Sequence, residues 1–395
     1  MKKYLKHISI LILISSLSII FLLEKTPEKK TIEAEDRILL RKANFSSLDS
    51  WKTDNFDLLI KGFKDSCSKI LLEKNEYLSQ AELKIPTSIY QNLCNKYLNN
   101  IPQTSEDFRQ FIEDNFTPFL VTNNGNEEGK FTSYFESTIK ASFTPNKQYK
   151  YPVYGKPYDL IEINLTDFDN SLPKKRLLGR IENQKLIPYY TRKEIENKKI
   201  NAPILLWADS NIDIHIMQIQ GSAVAKLDDG KEIRISYADN NGHPFRGIGS
   251  ILLSKGLIKS GQASMSQIKK WLEENPNQAK ENLQENHRYI FHKLSNAEGP
   301  IGAQGVALHA GRSLAVDKKY IPLGSLLWLE TTGPNKETIK KLVIAQDIGS
   351  AIKGIVRGDY FWGSGDDEIL EQAGKMNSKG RYFILLPKEI EKDYE

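Results

Sequence analysis

Val343–Gly365 reads VIAQDIGSAIKGIVRGDYFWGSG, and its alternation of apolar runs with glycine turns decides how the fold is read. Short apolar runs that end at Gly or Asp predict strands joined by tight loops rather than helices. Asp347 follows one run and Asp359 the next, so both should sit near strand ends, facing a groove. Asp317, in RSLAVDKKYIPLG, has the same setting. Gly349, Gly354, Gly358 and Gly363 remove side chains and let the backbone approach a ligand. Phe361 and Trp362, with Tyr360 beside them, supply flat faces on which sugar rings can lie. A carboxylate next to such a surface is what glycosidic cleavage needs, because an acid must protonate the leaving oxygen while a trough holds the polymer. The competing role for each aspartate is a turn cap that accepts backbone N–H bonds. Pro322 and Gly324 favour that role for Asp317, the aromatic neighbours favour chemistry for Asp359, and Asp347 fits either.

Outward from this stretch the chain reads as mainly β with an α-helical N-terminal layer. From Leu48 to Asn115 apolar residues recur at helical spacing, with Phe56, Leu59, Phe63, Cys67 and Ile70 on one face and Phe108, Phe111 and Ile112 on another. Thr104, Ser105 and Asp107 make a helix start. After Pro118 come alternating segments that predict strands: KFTSYFESTIKASF, YKYPVYG, ILLWAD, IDIHIMQIQGSAVAKL and KEIRISYAD, with Asp228-Asp229-Gly230 as a hairpin turn. Met265, Ile268, Trp271 and Leu272 predict one helical interlude ending before Asn275-Pro276. Strands resume in RYIFHKL, LLWLETT, KLVIAQD and RYFILLP.

At 395 residues there is room for more than one core, and 55 basic against 50 acidic residues give a net charge of +5, too small and dispersed to point to nucleic acid. Lys2, Lys3 and Lys6 precede the uncharged run Ile8–Leu23, which predicts an export signal, either retained as a membrane anchor or cleaved, followed by a polar tether. Cys67 and Cys94 would then lie in an oxidising compartment, where a disulfide or two buried thiols fit. The histidines show no metal spacing, so neither a metal nor another cofactor is expected.

Ala315-Val316-Asp317, then Gln346-Asp347-x-Gly-x-Ala-Ile-x-Gly, then Gly358-Asp359-x-Phe-x-Gly resembles the three-aspartate domain of the membrane-bound lytic murein transglycosylase A family. SLDSWKTDNFDLLIKGFKDSC, KFTSYFESTIKAS, MQIQGSAVAKL, SYADNNGHPFRGIGSILLSKG and GPIGAQGVALHAGRSLAVD are similar to other segments of that family, in the same order over residues 45–387. The resemblance implies a double-psi β-barrel with an inserted, barrel-like second β domain and a glycan groove between them. The corresponding division is a signal or anchor with tether at 1–30, helices and the start of the barrel at 31–138, an insert at 139–285, and the three-aspartate barrel at 286–395. It also implies cleavage of the β-1,4 bond between N-acetylmuramic acid and N-acetylglucosamine, leaving 1,6-anhydro ends, with Asp359 as the catalytic acid and Asp347 as its helper. Tyr134, Glu136, Gln220, Gly221, Ser222, Asn241, Asp317, Lys353 and Trp362 are the candidate groove residues.

The partner implied is the peptidoglycan glycan strand, with the membrane met through the N-terminal segment and other cell-wall enzymes as candidate partners. An exported, periplasmic enzyme is expected. Cys67 is the first cysteine, so a lipoprotein anchor is not. The sequence departs from the family where Ser133-Tyr134-Phe135-Glu136-Ser137 stands for Gly-Tyr-Tyr-Glu-Pro and where Ala223 stands for a glycine. Rival readings are a glycan-binding module without chemistry, a true glycoside hydrolase, and an aspartic protease built on Asp347-Ile348-Gly349-Ser350. The last would need a second carboxylate loop to share its proton, and no second copy occurs.

Overall fold

Helix formation at the N-terminal end follows the apolar spacing. In the computed structural model, which describes residues 35–198 and 200–394, Leu59, Phe63, Cys67 and Ile70 are buried along one face of the helix Asp57–Ile70. Cys67 is disulfide-bonded to Cys94 on the helix Thr87–Asn99. Closing that 27-residue separation removes unfolded-chain entropy amounting to about 3.5 kcal/mol in the chain-entropy account. The third helix, Ser105–Asn115, starts where the sequence predicts, with Thr104 Oγ1 accepting the Asp107 N–H at 3.1 Å. The expected anchor and most of the tether lie outside the described residues. Among the described ones no helix is long and apolar enough to cross a membrane.

The strands, in chain order, are β1 (Ile38–Lys42), β2 (Phe116–Asn123), β3 (Gly129–Ser142), β4 (Tyr151–Tyr154), β5 (Ile161–Asn164), β6 (Arg176–Glu182), β7 (Lys185–Pro188) and β8 (Ile204–Ala208). They continue with β9 (Ala223–Leu227), β10 (Glu232–Asn240), β11 (Ile290–Ser295), β12 (Ser313–Val316), β13 (Leu326–Thr332), β14 (Thr338–Asp347), β15 (Arg357–Ser364) and β16 (Asn377–Pro387). The order β16-β13-β14-β12-β15-β3 closes into a ring because β16 also pairs with β3. Two of its pairings are parallel, β12 with β14 and β15 with β3. Closure pairs each ring strand on both sides within the ring, while β1 and the far part of β3 extend beyond it. Phe131, Leu314, Val316, Tyr360, Trp328 and Tyr382 belong to one buried core with the N-terminal helices.

That helical layer is also fixed by charge. Arg312 donates to both oxygens of Asp54 at 2.7 and 2.6 Å, and the same Asp54 accepts the Leu342 N–H at 3.0 Å, so residues before the first helix are locked to β14. Both side chains are buried. Loss of one partner from such a pair costs about 3–5 kcal/mol, because the other charge is stranded.

β3 runs without interruption through the expected boundary at 138/139. Its first half belongs to the ring, and Ser137–Ala141 pair in parallel with β9 of a second sheet that continues through β10 and β11. β11 therefore belongs with the second sheet rather than with the barrel segment expected from 286. β4 and β8 flank the far end of β3, and β5 to β7 form a separate three-stranded sheet.

One expected strand is a helix. Asn211–Gln220 is α-helical, capped by Ser210, whose Oγ accepts the Asp213 N–H, and ended by Gly221 at φ 94°. Its run of Ile214, His215, Ile216, Met217 and Gln218 is buried all round, so no polar stripe marks the helical period and the β-branched alternation imitates a strand. Only Ala223–Leu227 of that segment is extended. The helices Ile248–Ser254 and Pro276–Gln284 also join the predicted one, found at Met265–Glu274, in a small buried cluster of their own.

Candidate active site

Register brings the two acids together. On β12, Ala315 pairs with Asp347 of β14 on one side and with Asp359 of β15 on the other, and Asp359 pairs in turn with Thr132 of β3. Thr132, Asp359, Ala315 and Asp347 thus form one row across four strands. Paired positions share a sheet face. Two inter-strand steps of about 4.8 Å set the aspartate Cα atoms roughly 10 Å apart. Only the methyl group of Ala315 stands between them in the row.

The next row supplies the wall. Tyr134 pairs with Phe361, their rings 5.2 Å apart, and with Leu308 they bury Ala315. From there the Tyr134 hydroxyl reaches Asp347 Oδ2 at 2.9 Å, while the Ala303 N–H donates to Asp347 Oδ1 at 3.0 Å. Both oxygens of Asp347 are therefore engaged. Asp359 differs, since its Oδ1 accepts from the Thr132 hydroxyl and, among the described residues, no donor meets Oδ2. Arg357 donates to Thr132 Oγ1 at 2.7 Å, which turns the threonine proton toward the acid.

Burial pushes both carboxyls up. Asp347 is raised to about 6, first by desolvation and also by the neighbouring Asp359 charge, against the lowering effect of its Tyr134 and Ala303 donors. Asp359 is raised by desolvation, opposed by the Thr132 hydrogen bond and then by the Arg357 guanidinium. Desolvation and these two carboxylates raise the Tyr134 phenol well above its usual value, so it acts as a donor only. The arrangement sets one carboxyl with an open oxygen beside a second whose oxygens are tied, and burial raises the proton affinity of both.

Behind the row, Gln346 sets Asp347. Its amide nitrogen donates to Ser66 Oγ at 2.9 Å and its carbonyl accepts from Ser313 Oγ at 2.6 Å, all three buried. Gly358 serves packing rather than ligand approach: a Cβ there would meet Phe131 and Leu314 at 2.8 to 3.0 Å. Gly354, at φ +115°, does need glycine's freedom, and its N–H is bonded to Asp317 Oδ2 at 3.0 Å.

The other expected groove residues scatter. Asp317 is buried and holds two turns, through Gly354 and through the Lys319 N–H at 3.1 Å; Lys353 is exposed, with its amine 3.9 Å from Asp317. Glu136 has no exposed surface and is bound by Arg234 Nε at 3.0 Å and Ser364 Oγ at 2.6 Å, so it cannot touch a glycan. Asn241 is likewise buried, bonded to Tyr190, His287 and Tyr289 backbone groups at 2.8 Å. Gln220 accepts the Phe135 N–H at 3.2 Å, Gly221 ends its helix, and Ser222 is buried after it. Trp362 is half-buried, edge-on to Tyr360 and bonded to Gln372. Thr132, Arg357 and Ala303 were not singled out by sequence, for each acts through a partner far along the chain.

Residues 130–293 match the family description "MltA specific insert domain" and residues 312–386 match "3D domain". Membrane-bound lytic murein transglycosylase A of Escherichia coli K12 is 31% identical over 290 residues, 71% of each chain. The chain belongs to the membrane-bound lytic murein transglycosylase A family. Among solved structures, MltA from Neisseria gonorrhoeae superposes with a TM-score of 0.77 at 32% identity, covering 89% of this chain and 93% of its own. The membrane-bound lytic murein transglycosylase from Agrobacterium tumefaciens gives 0.80 at 28% identity over 90% of this chain and all of its own. Membership in the transglycosylase A family thus rests on sequence and fold together, with both aspartates of the row inside the matched 3D segment and Thr132 inside the matched insert segment.

Proposed function

We propose that this peptidoglycan lytic transglycosylase cleaves the β-1,4 bond between N-acetylmuramic acid and N-acetylglucosamine and leaves a 1,6-anhydromuramyl end, with Asp359 acting first as acid and then as base. The observation that carries the reading is the contrast in commitments: Asp359 keeps one carboxyl oxygen open, and Asp347 keeps none. With Thr132 donating to Oδ1, the proton of Asp359 belongs on Oδ2, where it meets the glycosidic oxygen. Transfer of that proton breaks the C1–O bond and leaves positive charge on C1 and the ring oxygen. The Asp359 carboxylate then takes the proton of the C6 hydroxyl as O6 bonds to C1. No water is consumed, since the nucleophile is held in the same sugar at high effective concentration. Asp347 raises the proton affinity of Asp359 as a neighbouring negative charge.

The six-strand ring with its two parallel pairs supports the double-psi β-barrel reading, and the second sheet supports an inserted domain beside it. We place the enzyme in the periplasmic cell envelope, held at the membrane by residues 8–23 or released after their removal. Membrane fractionation after a high-salt wash separates the two, with a freely soluble mature protein refuting the anchor. Digestion of purified peptidoglycan followed by mass spectrometry of the products tests the chemistry. Anhydro ends that vanish in Asp359→Asn are expected; reducing ends would mean a hydrolase, and binding without release a glycan-binding module. An aspartic protease is disfavoured because β12 separates the two carboxyls, which leaves no dyad sharing one proton.

A further inference from the structure

The long strand β3 leaves the ring with one edge uncovered. Up to Glu136 that edge is paired with β15, ending in the Gly365 N–H to Glu136 O bond at 3.0 Å. It is covered again at Lys140, whose carbonyl accepts the Asp209 N–H at 3.2 Å, and by β8 at Ala141. Backbone groups of alternate residues point to the same edge, so those of Thr138 face the gap. β9 lies along the opposite edge, the side on which Phe135 N–H meets Gln220.

A cavity of about 480 Å³ sits at this gap, lined by Thr138, Lys140, Lys226, Lys269, Asp209 and Asp366 among others. Lys140 and Lys226 are directly opposite each other on β3 and β9, both exposed, and neither makes an ion pair within 4 Å among the described residues. Like charges side by side on neighbouring strands repel; the Asp209 carboxylate, on which Lys140 acts, offsets this in part, and a further anion would offset the rest. Asp209 is only partly exposed, and its carboxyl is raised by desolvation and by nearby Asp213. The lining therefore offers cations and anions a few ångströms apart, beside an open backbone donor and acceptor.

We propose that this cavity binds the peptide substituent of the glycan substrate, a short extended peptide that carries both free carboxylates and a free ammonium, by adding it to the edge of β3 at Thr138. This rests on the peptidoglycan reading above. Strand addition gives main-chain affinity without demanding a fixed sequence, and the mixed lysine and aspartate lining matches a zwitterionic chain better than a neutral sugar. The reach also fits. Thr132, bonded to the acid, and Thr138, at the gap, lie on the same face of β3 six residues apart, roughly 20 Å by strand rise, and an extended peptide of four residues spans about 13 Å, so the sugar that carries it supplies the remaining length.

The test uses the whole exported chain, wild type and Lys140→Glu/Lys226→Glu, on intact peptidoglycan and on the same strands stripped of peptide by an amidase. The variant should lose roughly tenfold in kcat/KM on peptide-bearing strands, mostly through KM, and nothing on stripped strands. Equal losses on both would make the cavity part of the sugar trough and overturn the proposal, and no loss on either would overturn it too. If neither protein cleaves anything, the peptidoglycan reading fails by itself, and the cavity is then judged by direct binding. A short N-acetylated peptide with carboxylates and one free side-chain amine should bind wild type at least tenfold more tightly than the variant, and equal or absent binding sinks the assignment. Both lysines are exposed, so the double variant should melt as wild type does.

Discussion

The end of β14 and the start of β15 each present an aspartate to the same face, from opposite sides of Ala315. On β14 the carboxylate is tied at both oxygens and braced from behind by Gln346, Ser66 and Ser313. On β15 it is held by one threonine, with a guanidinium one step further off. Two residues of the same type are thus held to different degrees. What separates them is the number of donors each already satisfies, and under the proposed mechanism that difference leaves Asp359 the one to exchange a proton with a ligand.

The strongest way to break this comparison is Asp359→Asn. General acid catalysis contributes about 10²–10⁴-fold, and in the proposed mechanism one residue serves both proton transfers, so kcat should fall by about 10³ or more with the melting temperature kept or raised. Release of anhydro products by mass spectrometry is the measurement. Retention of more than a tenth of the activity would move the acid elsewhere.

Asp347→Asn should do less to catalysis and something measurable to stability. Removing the neighbouring charge lowers the proton affinity of Asp359, so the alkaline limb of the pH profile should move to lower pH and kcat fall by roughly ten- to thirtyfold. For stability the sign is set by the folded value of about 6 lying above the ordinary 3.8. The stability tied to Asp347 is present below the unfolded value and is lost as pH rises through about 6. Asn cannot ionise, so the variant should gain about 1–2 kcal/mol over wild type in mildly alkaline buffer, after discounting for the partial exposure of the group. Equal stability of the two at alkaline pH would mean that the carboxylate is not held against desolvation.

Both acids were legible in the sequence because local rules mark them: an apolar run, an aspartate, a glycine turn, and for Asp359 a run of aromatics. The helix at Asp57–Ile70 was legible for a similar reason, a clean stripe of Leu59, Phe63, Cys67 and Ile70 with charge opposite. Asn211–Gln220 was not, since a helix buried on every side shows no stripe to find. Thr132 was hidden for another reason. It meets Asp359 across 227 residues of chain, through the register of a parallel strand pair that no local feature specifies. Glu136 and Asn241 are groove candidates through the family resemblance of their segments, but a polar side chain with almost no exposed surface answers to its buried neighbours.

Tyr134→Phe sharpens the contrast at a smaller scale. It frees one oxygen of Asp347 and removes a donor that lowers its pKa, so Asp347 should titrate above about 6. A hydrogen bond to a charged group is worth about 1.5–3 kcal/mol, yet only its effect on orientation reaches the reaction, and a loss of roughly fivefold in kcat is expected. Carbon-13 titration of the labelled aspartates would show the upward shift, and an unmoved Asp347 would count against the bond.

The smallest rate effect belongs to Arg357→Gln. The guanidinium lowers the pKa of Asp359, so its removal raises the proton affinity of the acid, and the alkaline limb should move to higher pH, opposite to the shift in Asp347→Asn. Freeing Thr132 from its Arg357 donor leaves the hydroxyl able to bond Asp359 as before, so kcat at the optimum should drop by less than about fivefold. Arg357→Lys keeps a cation and should hold the limb near its wild-type place. If both arginine variants leave the limb unmoved while Asp347→Asn shifts it, the titrating group is on β14 rather than β15, and the division of labour between the two strands runs the other way.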